Sequence, residues 1–94
     1  MRVVWAAEAL QDRIEIWDYI VADNPGAAVR MDDLFSDSAS RPAEHPKLGR
    51  SGKVVGTREL VVHEHYRLVY EISNDTVYIL TLIHTARLWP PAKT

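Results

Sequence analysis

Arg67 and His84 carry the side chains in this sequence that are best suited to handling a phosphate. A guanidinium group neutralises phosphate charge, and an imidazole transfers protons near neutral pH. If Asn74 and Asp75 form a two-residue hairpin turn, His65 lies opposite His84, and Arg67 projects from the same face of the sheet. We therefore expect a phosphate site at the open end of this hairpin. The alternative is that these side chains are polar strand ends that contact water or neighbouring glutamates.

A basic, glycine-rich segment precedes the predicted strands. Glycines at 49, 52 and 56 permit positive φ angles, and the cations of the segment are Lys47, Arg50, Lys53 and Arg58. Loops held by a rigid scaffold commonly carry binding chemistry. The sequence therefore predicts a cationic binding loop beside the sheet.

Charge is divided unevenly along the chain. Residues 1–40 carry three basic and eight acidic side chains, whereas residues 41–94 carry eight basic and five acidic ones. This asymmetry favours a polyanion or an acidic partner for the C-terminal half. The alternative is that the first two helices simply expose acidic, solvated faces.

Several classes of function are disfavoured by what the sequence lacks. The 94 residues include no cysteine, no Gly-x-Ser-x-Gly elbow and no phosphate-binding loop of the Gly-x4-Gly-Lys-Ser/Thr type. His63, His65 and His84 are the candidate metal ligands, but no carboxylate stands at a suitable spacing, so we expect no metal and no cofactor. No apolar run approaches the roughly 18 residues of a membrane helix, and a cysteine-free chain suits a reducing cytoplasm.

Two helices are predicted after a short first strand at Val3–Trp5. Apolar residues of the first helix, which starts near Ala6, recur at helical spacing and predict its inward stripe; they are Leu10, Ile14, Trp17 and Val21. Asn24 is a suitable N-cap and Pro25 a suitable first residue for the second helix, which is expected to run to about Ser40. Its predicted inward positions are Ala28, Met31, Leu34, Phe35 and Ser38. We expect the two helices to form an antiparallel hairpin.

Three further strands are predicted after a connecting loop at 41–56. They span about 57–63, 66–72 and 76–83, and the last is apolar on both faces, as expected for a central strand. The predicted order is β-α-α-β-β-β, an α+β fold with a helical hairpin packed on a mostly antiparallel sheet. We expect one domain over residues 1–94, with a tail that carries Arg87 and Trp89 across its surface.

Short segments in this order resemble the RelE/ParE toxins of bacterial toxin–antitoxin systems, and more narrowly their ParE-like branch. The matching segments are VVW at 3–5, WDYI at 17–20, DNPGAA at 23–28, LGR at 48–50, GTREL at 56–60, YRLVY at 66–70, VYIL at 77–80 and HTAR at 84–87. The resemblance covers nearly the whole chain, and the predicted order of elements agrees with the family fold.

The resemblance implies a cytoplasmic bacterial toxin that causes growth arrest, serves plasmid stabilisation and is neutralised by a ParD-like or RelB-like antitoxin. RelE-like members cleave messenger RNA on the ribosome, whereas characterised ParE members poison DNA gyrase. By resemblance to the ribonucleases, Arg67 would hold the scissile phosphate and His84 would act as the acid. In the loop before the second strand, those enzymes carry a general-base carboxylate or a lysine cluster. Here Pro46 and Lys47 stand where the carboxylate is expected, with Glu44 as a nearby substitute.

The missing base favours a non-enzymatic gyrase poison over general acid–base cleavage of RNA. The predicted target-binding residues are Arg50, Lys53, Arg58, Arg67, Arg87 and Trp89. One alternative is a ribosome-dependent endoribonuclease in which Arg67 and His84 are catalytic. The other is an inactive member that only binds its antitoxin.

Overall fold

The computed structural model describes residues 1–85 together with Trp89 and Pro90. Its elements are β1 (Arg2–Trp5), α1 (Ala7–Val21), α2 (Pro25–Glu44), β2 (Arg50–Ser51), β3 (Thr57–His63), β4 (Tyr66–Ser73) and β5 (Thr76–His84). The strands form one sheet in the order β1-β5-β4-β3-β2, in which β1 is parallel to β5 and the other pairs are antiparallel. The predicted α+β architecture is confirmed, with β5 inside the sheet. The short strand β2 lies within the segment that was predicted to be a loop.

Helix α1 turns a different side to the sheet from the one its apolar spacing predicted. Ala9 is fully buried, whereas Leu10 and Ile14 are 46% and 53% exposed, so the predicted inward stripe is wrong at these two positions. Ile16 packs against the core in their place. The small side chain of Ala9 faces the core beside the sheet, whereas Leu10 and Ile14 are turned outward.

Helix α2 begins as predicted and ends later. The Asn24 side-chain oxygen accepts a hydrogen bond from the Ala27 N–H at 3.1 Å, and Pro25 occupies the first turn. The helix continues to Glu44 rather than to Ser40, and Pro42 is fully buried inside it. Pro42 cannot donate to the carbonyl of Ser38 four residues earlier, and burial of its ring offsets part of this cost.

Replacing Asn24 by alanine is expected to lower the free energy of unfolding by about 1 kcal/mol, because the Ala27 N–H loses its acceptor. Asn24→Asp keeps an acceptor oxygen and is the matched control. Urea titrations of the three proteins would test this. An alanine variant with the parent's midpoint and slope would contradict the assigned cap.

Arg13 joins three elements on the helical side. Its Nε lies 2.7 Å from Asp32 Oδ1, its Nη2 lies 3.0 Å from Asp32 Oδ2, and its guanidinium stands 4.6 Å from the centre of the Trp5 ring. A bidentate pair combined with a cation–π contact constrains the arginine more than either alone. This side chain therefore fixes α1 against α2 and β1.

The core lies between the helical hairpin and the sheet. Its fully buried large side chains include Phe35, Leu68, Tyr70 and Ile79. The Asn74–Asp75 turn is confirmed, with φ angles of 49° and 60°, as a two-residue hairpin of this type requires. Among the described residues, no helix is both long and apolar enough to cross a membrane.

Candidate functional site

A bulge in β5 changes the register on which the predicted phosphate site depended. Pairing runs as predicted from Ser73 opposite Thr76 to Tyr70 opposite Ile79. It then shifts by one residue, so that Tyr66 rather than His65 lies opposite His84. The predicted pairing of His65 with His84 is therefore wrong. Because side chains alternate along a strand, a shift by one residue also exchanges the faces.

Asp12 of α1 binds β5 just beyond this bulge. One of its carboxylate oxygens, Oδ2, accepts hydrogen bonds from the Leu82 N–H at 3.0 Å and from the Thr81 hydroxyl at 2.8 Å. Strand β1 pairs with β5 only as far as Ile79, and a buried N–H without an acceptor is costly. The carboxylate supplies that acceptor from the helix and so joins α1 to β5.

Arg67 is engaged by the protein itself. It is only 9% exposed, its Nε lies 2.8 Å from Glu59 Oε1, and its Nη1 donates to the Thr85 carbonyl at 2.9 Å. Arg67 lies opposite Ile83, so its side chain leaves the sheet on the other face from His84. The structure therefore does not bring Arg67 and His84 together as predicted.

Glu59 is the residue of this ion pair that the sequence analysis did not single out. It is 9% exposed and sits on β3, two residues before Val61, which lies opposite Arg67. The alternation of the strand places Glu59 on the same face as Arg67. Glu59 can therefore be recognised as the partner of Arg67 only once the pairing of β3 with β4 is known.

His84 belongs to a group of rings at the open end of the β4–β5 hairpin. His65 stacks on His84 with ring centres 5.6 Å apart, and Tyr66 meets His84 edge-on at 5.8 Å. His63 contacts His65 at 5.5 Å. Within residues 1–85 and at Trp89 and Pro90, no three histidine, cysteine or acidic side chains gather in a way that holds a metal ion.

The groove beside His84 is acidic. Its described lining contains the carboxylates of Asp12 and Glu15 and no lysine or arginine. The remaining lining residues are Ile16, Tyr19, Tyr66, Leu82 and Ile83. Among the residues that the structure describes, the lining of this groove carries two carboxylates, which disfavour the approach of a phosphate group.

The basic segment is docked on the sheet by Tyr70. The hydroxyl of this fully buried residue accepts from the Gly49 N–H at 2.9 Å and donates to the Pro46 carbonyl at 2.8 Å. Arg58 Nη1 donates to the Gly49 carbonyl at 2.7 Å. A Cβ atom at Gly49 would lie 2.9 Å from both the Glu59 carbonyl oxygen and Tyr70 Cε1, so only glycine permits this close approach.

The predicted target-binding residues differ in accessibility. Arg50 and Lys53 are exposed, Arg58 is half-buried where it holds the loop, and Arg67 is buried. Trp89 is half-buried, and Arg87 lies outside the described residues. The exposed cations therefore lie on the segment that Tyr70 docks.

Sequence comparisons with known proteins find a toxin family model and two relatives named as toxins. A family model described as "ParE toxin of type II toxin-antitoxin system, parDE" matches residues 3–89. The putative toxin Y4kP of Sinorhizobium fredii is 40% identical over 90 residues, which are 95% of this chain and 93% of that protein. Toxin RelE2 of Caulobacter vibrioides is 39% identical over 87 residues, which are 93% of this chain and 98% of that protein.

The fold also matches a solved structure. A chain from the chromosomal ParDE system of P. aeruginosa superposes with a TM-score of 0.77 at 20% identity, over 89% of this chain and 95% of that one. At this identity the likeness concerns the fold alone.

Proposed function

Because the chain belongs to the ParE toxin family of type II toxin–antitoxin systems, we propose that it arrests bacterial growth by inhibiting DNA gyrase. It acts in the cytoplasm and is held inactive by a cognate antitoxin. No cofactor takes part. This target is the one that the ParE-like resemblance implies for the chain.

The observation that carries the proposal is the buried ion pair between Arg67 and Glu59, with Nε and Oε1 2.8 Å apart. A ribonuclease of the related kind needs the corresponding arginine to hold the scissile phosphate. In this chain the guanidinium is neutralised by a carboxylate and also donates to the Thr85 carbonyl. Exposing it to a phosphate would leave Glu59 as a buried charge without its partner, which is costly.

The surroundings of His84 support the same target. Its side chain lies on the other face of the sheet from Arg67, and Asp12 and Glu15 line the adjoining groove. General acid–base cleavage requires the acid, the base and the phosphate ligand to surround one bond. The substitute base considered from the sequence, Glu44, is the exposed last residue of α2.

Binding to a protein target calls instead for accessible cations on a fixed frame. Lys47, Arg50 and Lys53 are exposed on the segment that Tyr70 docks against the sheet. Such a surface is complementary to an acidic protein surface. Arg58 acts in this scheme by holding the loop, and Arg67 by holding the strands, rather than as direct contacts.

The test combines cell labelling with a purified assay. After induction without antitoxin, we expect incorporation of a DNA precursor to fall before incorporation of an amino acid, and purified toxin to inhibit supercoiling by gyrase. His84→Ala should arrest growth as the parent does, since the proposal gives this residue no role in the target complex.

The other candidate functions predict different results. If translation falls first and the His84→Ala variant no longer arrests growth, the proposal is contradicted in favour of ribosome-dependent RNA cleavage. A parent chain that binds antitoxin yet arrests no growth would contradict it in favour of an inactive member.

A further inference from the structure

The turn between β2 and β3 ends in an exposed apolar tip, defined here as residues 52–57. Val55 is 98% exposed and Val54 is 41% exposed. Isolated exposed apolar residues are common on protein surfaces. Here, however, two adjacent β-branched side chains stand at the very end of a hairpin, where water surrounds the outer one almost completely.

The backbone of the tip is fixed before any partner arrives. The Gly52 N–H donates to the Thr57 carbonyl at 2.9 Å, and the Val54 carbonyl accepts from the Thr57 N–H at 3.1 Å and from its hydroxyl at 2.6 Å. Gly56 has a φ of 88°, a backbone conformation that residues with a side chain rarely adopt. A pre-organised turn loses little conformational entropy on binding. Little of the free energy gained from contacts of its valines is therefore lost in ordering the turn.

The charges near this apolar point are mostly positive. The groove beside Val54 and Val55 is lined by Lys47 and Arg58 and by the carboxylate of Glu71, which lies opposite Thr57. Residues 45–58 contain no aspartate or glutamate, while Lys47, Arg50 and Lys53 are exposed on the same segment. An apolar centre within a charged rim is the usual arrangement of a small protein–protein contact. Because these cations outnumber the Glu71 carboxylate, the complementary surface is an apolar pocket bordered mainly by carboxylates.

We infer that the toxin binds its protein target through this tip. Val55 fills an apolar pocket of the target, and Lys53 faces the acidic rim of that pocket. This inference rests on the proposed function in that the target is a protein. Residues 46–58 include no aromatic side chain, so the segment offers no platform for stacking RNA bases. Two valines also present far less apolar area than the amphipathic helices that bind membrane surfaces.

The test compares Val55→Asp and Val55→Ser with Val29→Asp, an exposed valine on α2 that serves as the control. Circular dichroism and urea midpoints establish that the variants fold. Growth arrest is titrated with inducer in the absence of antitoxin, and binding to purified gyrase is measured alongside. We expect both Val55 variants to lose at least tenfold in growth arrest and in gyrase binding. Val55→Ile and Val29→Asp should match the parent, and Lys53→Glu should be weakened.

Failure of the inference and failure of the gyrase target give different results. If the parent chain arrests growth without binding gyrase, gyrase is not the target. Loss of growth arrest in the Val55 variants would then still support the inference that the tip binds the target. Val55→Asp and Val55→Ser that fold and arrest growth like the parent overturn the inference. It is also overturned if these changes abolish binding to phosphatidylglycerol vesicles, or only neutralisation by antitoxin, while arrest persists.

Discussion

Replacing Arg67 by alanine is expected to lower the free energy of unfolding by about 3–5 kcal/mol, because it leaves the Glu59 carboxylate buried without its partner. The two side chains are almost completely withdrawn from water, and the arginine also supplies a hydrogen bond to the Thr85 carbonyl. A loss of this size is a large share of the total stability of a small domain. Toxicity of Arg67→Ala should therefore fall through unfolding.

A double-mutant cycle separates the ion pair from other roles of Arg67. The double variant Glu59→Gln with Arg67→Met removes both charges. It should lose much less free energy of unfolding than the sum of the losses in Glu59→Gln alone and Arg67→Met alone, because no buried charge remains. Thermal or urea unfolding measures each variant. A stably folded Arg67→Ala that is no longer toxic would contradict a structural role and would point to a phosphate or a target contact at this residue.

Replacing Tyr70 by phenylalanine is expected to lower the free energy of unfolding by about 2–4 kcal/mol. The hydroxyl serves two backbone groups, the Gly49 N–H and the Pro46 carbonyl, and its removal leaves both without this partner in a largely buried place. The ring itself remains, so packing in the core is preserved. The basic segment should then detach from the sheet, and growth arrest should weaken even where the protein stays folded.

Tyr19→Phe is the matched control, since it removes the same hydroxyl from an exposed residue of α1. Hydrogen exchange at the amides of residues 47–53 distinguishes local release of the segment from global unfolding. Equal exchange rates and equal stability in Tyr70→Phe and the parent would show that this hydroxyl does not dock the loop.

Much of the candidate site was open to prediction, because the signals involved are local. Asn-Asp between two apolar runs specifies the hairpin turn, and the cations between Lys47 and Arg58 are visible in the sequence itself. What was not predicted was the commitment of Arg67 to Glu59. That commitment follows from the pairing of β3 with β4 rather than from the spacing of either residue.

The helices also combine features that depend on local sequence with features that depend on tertiary contacts. Asn24 and Pro25 specify where α2 begins, since capping is a local preference. The inward side of α1 was predicted from Leu10 and Ile14, yet the helix meets the sheet through Ala9. Apolar spacing reports that a helix is amphipathic, but close approach of the backbone to a neighbouring element depends on the shape of both surfaces.

By itself the sequence determined the order and type of most elements, the hairpin turn, the basic segment and the family resemblance, all of which depend on neighbours along the chain. The tertiary structure alone decided on which face His84 lies. The bulge in β5 shifts its pairing with β4 by one residue, so that Tyr66 rather than His65 lies opposite His84. A shift by one residue exchanges the faces of a strand, and this irregularity, which the spacing of residues along the chain does not reveal, separates His84 from Arg67.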